Sequence, residues 1–205
     1  MSLSPAVQIE PANAPPPETD GRRRRSQDSR ARIVQAMLDL VRAGEMSPSA
    51  ELVAEQAKVG LRTVFRHFND MDSLYREMTA VIEAELQSVI DQPFKSADRR
   101  GRMVEMVQRR AGAYERIAPF RRASEVLRQR SPNQAADQAR FVAIAREILH
   151  REAPPELIED KARFEALDLL LSFEAWNRLR QEQGLSPRKT VEALETAVAA
   201  LIKDL

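Results

Sequence analysis

The sequence predicts an all-α protein: a small three-helix unit containing a helix-turn-helix, followed by a larger helical domain. Three observations carry that expectation. Apolar residues return every three or four positions in one stretch after another, the period of helices with one buried face. Between those stretches stand helix stops and starts: Gly44, Gly60, Pro93, Ser131-Pro132, Pro154-Pro155 and Ser186-Pro187. Residues 47–75 compress two short helical periods, a corner and the start of a third into one span.

Composition narrows the function before any motif is read. The chain has 205 residues, enough to bury a sizeable core. Its formal net charge is +1, so the bulk does not announce a polyanionic partner. The distribution says more: residues 1–21 carry only acids (Glu10, Glu18, Asp20), and a basic excess follows from Arg22. The absence of cysteine excludes a disulfide framework and a thiolate metal site. No apolar run is long enough to span a bilayer and no signal-peptide block opens the chain, so a soluble cytoplasmic protein is expected. His67 and His150 lie far apart, the carboxylates sit mostly among arginines on polar faces, and no glycine-rich phosphate loop occurs. No catalytic residue, metal site or cofactor is therefore expected, and the protein does not read as an enzyme.

Residues 1–26 open the chain as a proline-rich polar segment with little to bury, expected to be disordered or extended. It ends in Arg22, Arg23, Arg24 and Arg25, either a solubilising run or an arm that lies in a minor groove or along phosphates. The first helix is expected over residues 28–42 from the stripe Ile33, Val34, Met37, Leu38 and Val41. Ser49 can cap a second over residues 50–58, in which Val53, Ala54 and Ala57 share a face. Gly60 marks the corner, where the missing Cβ allows positive φ or a close helix approach. The third helix, residues 61–68, is too short to stand alone and must be held by its neighbours. Val64 and Phe68 are four apart and face inward, leaving Arg62, Thr63, Arg66 and His67 toward solvent. Arginines on a short helix are by themselves an ordinary wet surface. Joined to small residues at the crossing, a turn glycine and an apolar helix directly after, they describe a helix-turn-helix offered to a major groove.

Residues 57–75, AKVGLRTVFRHFNDMDSLY, resemble the end of the DNA-binding domain of the TetR/AcrR family of bacterial transcriptional regulators. Thr63, Val64 and Phe65 fall on the family's threonine-leucine-tyrosine, His67-Phe68 match outright, and Leu74 takes the apolar position that opens the fourth helix. Lys58 replaces the family glycine, Gly60 the serine, Phe65 the tyrosine and Met71 the lysine that usually contacts the DNA backbone. The resemblance implies a homodimer reading a palindromic operator in double-stranded DNA, with a DNA-binding domain over residues 27–72. Residues 73–205 are then a dimerisation and ligand-binding domain for a small, often hydrophobic effector, and repression by default is the family expectation. On this reading Arg62 and Thr63 reach base edges, Arg66 and His67 contact phosphates or adjacent bases, and Ser49 and Lys58 are phosphate ligands. Phe65 and Met71 remove two backbone contacts, so DNA binding is expected to be weaker or to be carried more by the basic segment upstream. The alternative is a helical sensor or interaction module with a vestigial helix-turn-helix.

Beyond Asp70 the helices grow longer. The fourth carries Leu74, Met78, Val81, Ile82 and Leu86 to Pro93, with carboxylates at its positive end. A fifth is expected over residues 97–116 with Met103, Val107, Ala111 and Tyr114 on one face, broken by Pro119. Ser131-Pro132-Asn133-Gln134 starts another, running to about residue 151 and burying Ala135, Ala139, Val142 and Leu149. Residues 156–183 read as one long helix, apolar on more than one side from Leu167 to Trp176. The last helix, from Ser186, carries Val191, Leu194, Val198, Leu201 and Leu205 at the spacing of a packing seam. Leu167, Leu171, Val191, Leu194, Val198 and Leu201 are the expected dimer interface. Met103, Val107, Tyr114, Phe120, Phe141, Phe173 and Trp176 are the expected walls of an apolar effector pocket.

Overall fold

A computed structural model of the chain describes residues 17–128 and 132–204, leaving aside the side chains of residues 17–20, 126–128, 132–135, 137 and 138. The described residues are helical throughout, without a strand: α1 (Pro17–Arg42), α2 (Ala50–Ala57), α3 (Leu61–His67), α4 (Met71–Ile90), α5 (Arg99–Arg128), α6 (Pro132–Glu152), α7 (Pro155–Glu159), α8 (Lys161–Leu170), α9 (Phe173–Asn177) and α10 (Pro187–Leu201). A π-helical turn, Arg178–Glu182, extends α9. The all-α class read from the sequence is what the chain adopts.

The N-terminal helices close where the sequence asks them to. Ile33, Val34, Met37, Leu38 and Val41 are buried, together with Val53, Ala54, Ala57, Val64 and Phe68. Ser49 caps α2 by accepting the Leu52 N–H at 3.2 Å. Asp70 starts α4 with a capping box: its carboxylate accepts the Ser73 N–H at 2.7 Å, and the Ser73 hydroxyl bonds back to Asp70. α1 departs from expectation. It begins at Pro17, so the stretch expected to be a free arm over residues 1–26 is helical from residue 17 on. Residues 1–16 lie outside the described residues.

The C-terminal helices differ from the sequence reading in three places. Pro119 does not break α5, which runs for 30 residues through it. Ile117, Ala118, Phe120 and Ala123 are buried on both sides of the proline, and that packing offsets the single missing N–H. The single long helix expected over residues 156–183 is several pieces. Asp160 accepts the Arg163 N–H and Ser172 accepts the Ala175 N–H, so each caps a fresh helix within the span expected to be one. The chain turns between pieces, which is how residues on several faces of a notional straight helix all become buried. On α6 the inward stripe is Phe141, Ala145, Ile148 and Leu149, whereas Ala139 and Val142 are exposed. Leu149 is buried as expected, while Phe141 and Ala145 take the inward positions expected of Ala139 and Val142. The Ser131 cap and the burial of Ala135 lie outside the described residues.

α10 packs on α5 and α8, and this packing uses most residues of the expected dimer seam within the chain. Leu167, Leu171, Leu194 and Val198 are buried within the chain itself, as are Phe173 and Trp176. Val191 and Leu201 are half-buried against the same core. Leu205 lies outside the described residues. One connected set of buried side chains runs from Ile33 in α1 to Ile202 after α10, with Met78 and Ile82 of α4 among its members.

Candidate nucleic-acid interface and effector cavity

The turn between α2 and α3 is built by Lys58 and not by Gly60. Lys58 has φ 54° and ψ 47°, left-handed, and its N–H donates to Ala54 and Glu55 carbonyls. Val59 N–H reaches the Ala54 carbonyl at 3.0 Å, completing a Schellman closure. Gly60 is extended at φ −70°, and a Cβ placed on it would meet nothing within 4 Å. The corner expected at Gly60 therefore needs no glycine there.

α3 is seven residues long and is held by its neighbours, as its length requires. Val64 and Phe68 are its inward anchors. Arg30 of α1 clamps its end: one guanidinium nitrogen donates to the His67 carbonyl at 2.8 Å, another to Glu77 of α4 at 2.9 Å, and the group stacks over Phe68 at 4.3 Å. Sequence reasoning missed Arg30, because nothing in its local spacing marks a contact 37 residues away. Arg62, Phe65 and Arg66 are left on the outer face, and Phe65 is 46% exposed. Lys58 and Ser49 are exposed beside them, whereas Thr63 and His67 are half-buried. Burial, Arg66 and Arg30 all push the His67 pKa down, so its imidazole is neutral at pH 7 in the free protein.

Arg22, Arg23, Arg24 and Arg25 are exposed on the leading turns of α1, where no side chain from Gly21 to Arg32 is buried. At 3.6 residues per turn, consecutive residues spread around the axis, so the four point in different directions. A flexible arm could bring all of them to one groove; a helix cannot.

A cavity of about 190 Å³ lies between α4, α5 and α6. α4 contributes Glu83, Leu86, Gln87, Val89 and Ile90, and Phe94 closes one end from the α4–α5 link. Met106, Arg109, Arg110, Ala113 and Tyr114 come from α5, and Phe141, Ile144, Ala145 and Ile148 from α6. Of the seven walls expected from sequence, only Tyr114 and Phe141 are among them. Met103, Val107, Phe120, Phe173 and Trp176 are buried in the packed core, where Phe173 and Trp176 meet with ring centroids 5.5 Å apart. The Tyr114 hydroxyl donates to the Leu171 carbonyl at 2.7 Å, and burial raises its pKa, keeping it a neutral donor. The cavity is set by how α4, α5 and α6 face one another, which a periodicity argument cannot register.

α4 belongs to both regions. Its first turns pack with Phe68 and Arg30, and its last turns line the cavity. α1 also touches α5, where Arg42 stacks over Phe120 at 5.4 Å and approaches Glu85 of α4 at 3.8 Å. Among the described residues there is no group of three metal-ligating side chains, and no helix is long and apolar enough to cross a membrane.

These features define a class by fold: an all-helical protein with a short-helix turn at one end and a larger helical bundle behind it. Two solved structures share that fold. A transcriptional regulator from Rhodococcus sp. Rha1 superposes with TM-score 0.63 at 17% identity, over 85% of this chain and 96% of its own. A proposed transcriptional regulator from Streptomyces coelicolor A3(2) superposes with TM-score 0.60 at 22% identity, over 84% of this chain and 97% of its own. No family model matches the sequence, and no curated protein matches it.

Proposed function

We propose that the chain is a sequence-specific DNA-binding transcriptional regulator, a repressor in its unliganded form, whose DNA affinity changes when a small apolar effector enters the α4–α5–α6 cavity. The observation that supports it most is the α2–α3 unit. Two short helices are locked at a Schellman turn, with Val64 and Phe68 inward and Arg62, Phe65 and Arg66 outward. α3 is held from inside by Val64, Phe68 and Arg30, which leaves its outward basic face free for a partner, and the geometry suits a major groove. Fold-sharing with the two regulators agrees with this reading. The proposed division is residues 27–72 for DNA and residues 73–205 for effector and dimer contacts, in a cytoplasmic protein.

Coupling follows from α4. A ligand that favours one arrangement of α4 against α5 and α6 also favours one placement of α3, because Arg30 ties α3, α1 and α4 together. By linkage, operator DNA changes effector affinity by the same factor.

The second reading is a helical sensor with vestigial DNA binding, favoured by Met71, half-buried where the resembling family carries a phosphate-contacting lysine. Selection of bound sequences from random duplexes, followed by titration against salt, separates the two. The regulator yields an enriched palindrome and a steep salt slope; the sensor yields neither. On the selected operator, Arg62→Ala is expected to lower discrimination by roughly 1–3 kcal/mol while leaving affinity for random duplex nearly unchanged. Equal losses on both would place Arg62 on phosphate instead.

A further inference from the structure

We infer that the cavity between α4, α5 and α6 takes a small amphipathic carboxylate, its apolar body among the helices and its anionic end at Arg110. The inference rests on the effector reading above and specifies the chemistry of that effector.

The charges on the cavity wall are Glu83, Arg109 and Arg110. Two of them are already matched. Glu83 pairs with Arg140 at 2.6 Å, across α4 and α6. Arg109 pairs with Glu105 at 3.1 Å and donates further to the Gln92 and Pro93 carbonyls. Arg110 is different. Its guanidinium donates only to neutral acceptors, the Leu171 carbonyl at 3.0 Å and the Ala145 carbonyl at 2.6 Å, with the Tyr114 hydroxyl close by. No carboxylate pairs with it among the described residues. The wall thus carries one guanidinium, part-buried, whose charge is met only by dipoles.

A cation taken partly out of water without a counter-ion is an unfavourable arrangement that a bound anion relieves. The planar fork of arginine suits a carboxylate in two-point contact. The Tyr114 hydroxyl gives its one proton to the Leu171 carbonyl that Arg110 also reaches, so the remaining guanidinium N–H groups of Arg110 are the donors at this end. Apart from the paired Glu83 and Arg109 and the amide of Gln87, the wall is mostly apolar, with Leu86, Ile90, Phe94, Met106, Phe141 and Ile148 among its residues. The volume sets the size. An apolar cavity of about 150 Å³ accommodates a benzene ring, so 190 Å³ suits one ring with a short side arm, or a short aliphatic chain. Sugars and nucleotides are too polar for this wall. Because Arg110 links α5 to α6 and to the end of α8, an anion that draws it off Ala145 acts on the contact that α4 leans against.

The test is calorimetric titration of the full chain with four acids, benzoate, 3-phenylpropionate, hexanoate and octanoate, and with the matching neutral amides. At least one acid is expected to bind about tenfold or more tightly than its amide, the margin of a charge-assisted contact. Arg110→Gln should remove that margin by weakening the acid and not the amide, and Arg110→Lys should restore part of it. Arg110 also braces three helices, so the comparison of acid with amide on the unmodified protein stands independently of whether the variants fold. Amides that bind as well as the acids, or an acid whose affinity survives Arg110→Gln in a folded protein, would overturn the anionic assignment and leave the effector reading intact. If no acid or amide binds, this assignment falls, and an unrelated neutral aromatic such as indole then decides the effector reading: binding keeps it, and no binding removes it.

Discussion

Lys58 is the only non-glycine residue with positive φ among the described residues, at 54°, and it closes α2. A side chain in the left-handed region costs about 1–2 kcal/mol, offset in part by the lower freedom of a non-glycine residue in the unfolded chain. Lys58→Gly is therefore expected to leave stability unchanged or raise it by up to about 1 kcal/mol. If Lys58 also contacts a phosphate, the same variant binds DNA more weakly, so stability and affinity should move in opposite senses. Gly60→Ser has open space around it and adds a capping hydroxyl at the N-terminus of α3, so it should be tolerated. Urea unfolding and operator titration of the two variants check this. A loss of more than about 1 kcal/mol at Gly60 would restore glycine's backbone role.

At the scale of elements, the link from α4 to α5 is fastened by Glu105. Burial opposes its ionisation, but the Ser96 and Lys95 N–H groups, at 2.9 Å each, the Ser96 hydroxyl and Arg109 outweigh it and hold its pKa down to about 2. The ordinary value is 4.5, so the folded pKa lies below the unfolded one. Its contribution is complete above about pH 4.5 and disappears as pH falls toward about 2. Glu105→Gln should destabilise by about 1–3 kcal/mol at pH 7, with the gap from the unmodified protein closing over that acid window. Thermal melts across pH give the comparison. Phe94, which ends the cavity, sits in this same link with Arg109 stacked on it at 4.0 Å, so effector affinity should fall too. The helical start of α1 makes a second element-scale prediction. Replacing Arg22 to Arg25 by glutamine should lower the salt slope by the equivalent of about two phosphate contacts, since a helix presents only one side to DNA. A slope loss near four would mean that the segment unwinds on DNA.

The elements also show what sequence can and cannot carry. The Ser49 cap and the stripe of α1 were legible because each is a local pattern with a local cause. The uninterrupted α5 was not, since Pro119 is tolerated through contacts made by residues around it. Arg30 and Arg110 were invisible for a related reason: both act on main-chain carbonyls, His67 in one case and Leu171 and Ala145 in the other, and a carbonyl has no residue signature. The cavity lining turns on a finer point. Tyr114 and Trp176 are both buried aromatic residues, yet Tyr114 borders the cavity and Trp176 is packed in the core.

For the whole molecule the open face decides the assembly. The regulator reading requires two copies, because a palindrome is read by two recognition helices related by a two-fold axis. The seam expected from sequence cannot supply the contact as a whole, since Leu167, Leu171, Leu194 and Val198 are committed to the chain's own core. What α8 leaves outward is Leu169, 65% exposed, while Val191 and Leu201 of α10 are half-buried against the core. We therefore place the homodimer contact on the outer faces of α8 and α10, centred on Leu169. Two aspartate variants separate surface from core. Leu169→Asp should fold normally, with a melting temperature close to that of a monomer, but sediment as a monomer and lose cooperative binding to the two-half-site operator. Leu194→Asp puts a carboxylate where the side chain is 6% exposed and should cost several kcal/mol of folding stability whatever the assembly state. Sedimentation with circular dichroism reads both effects. If Leu169→Asp stays dimeric, the two-fold lies on another surface; if the unmodified protein is already a monomer at micromolar concentration, the palindromic-operator reading goes with the dimer.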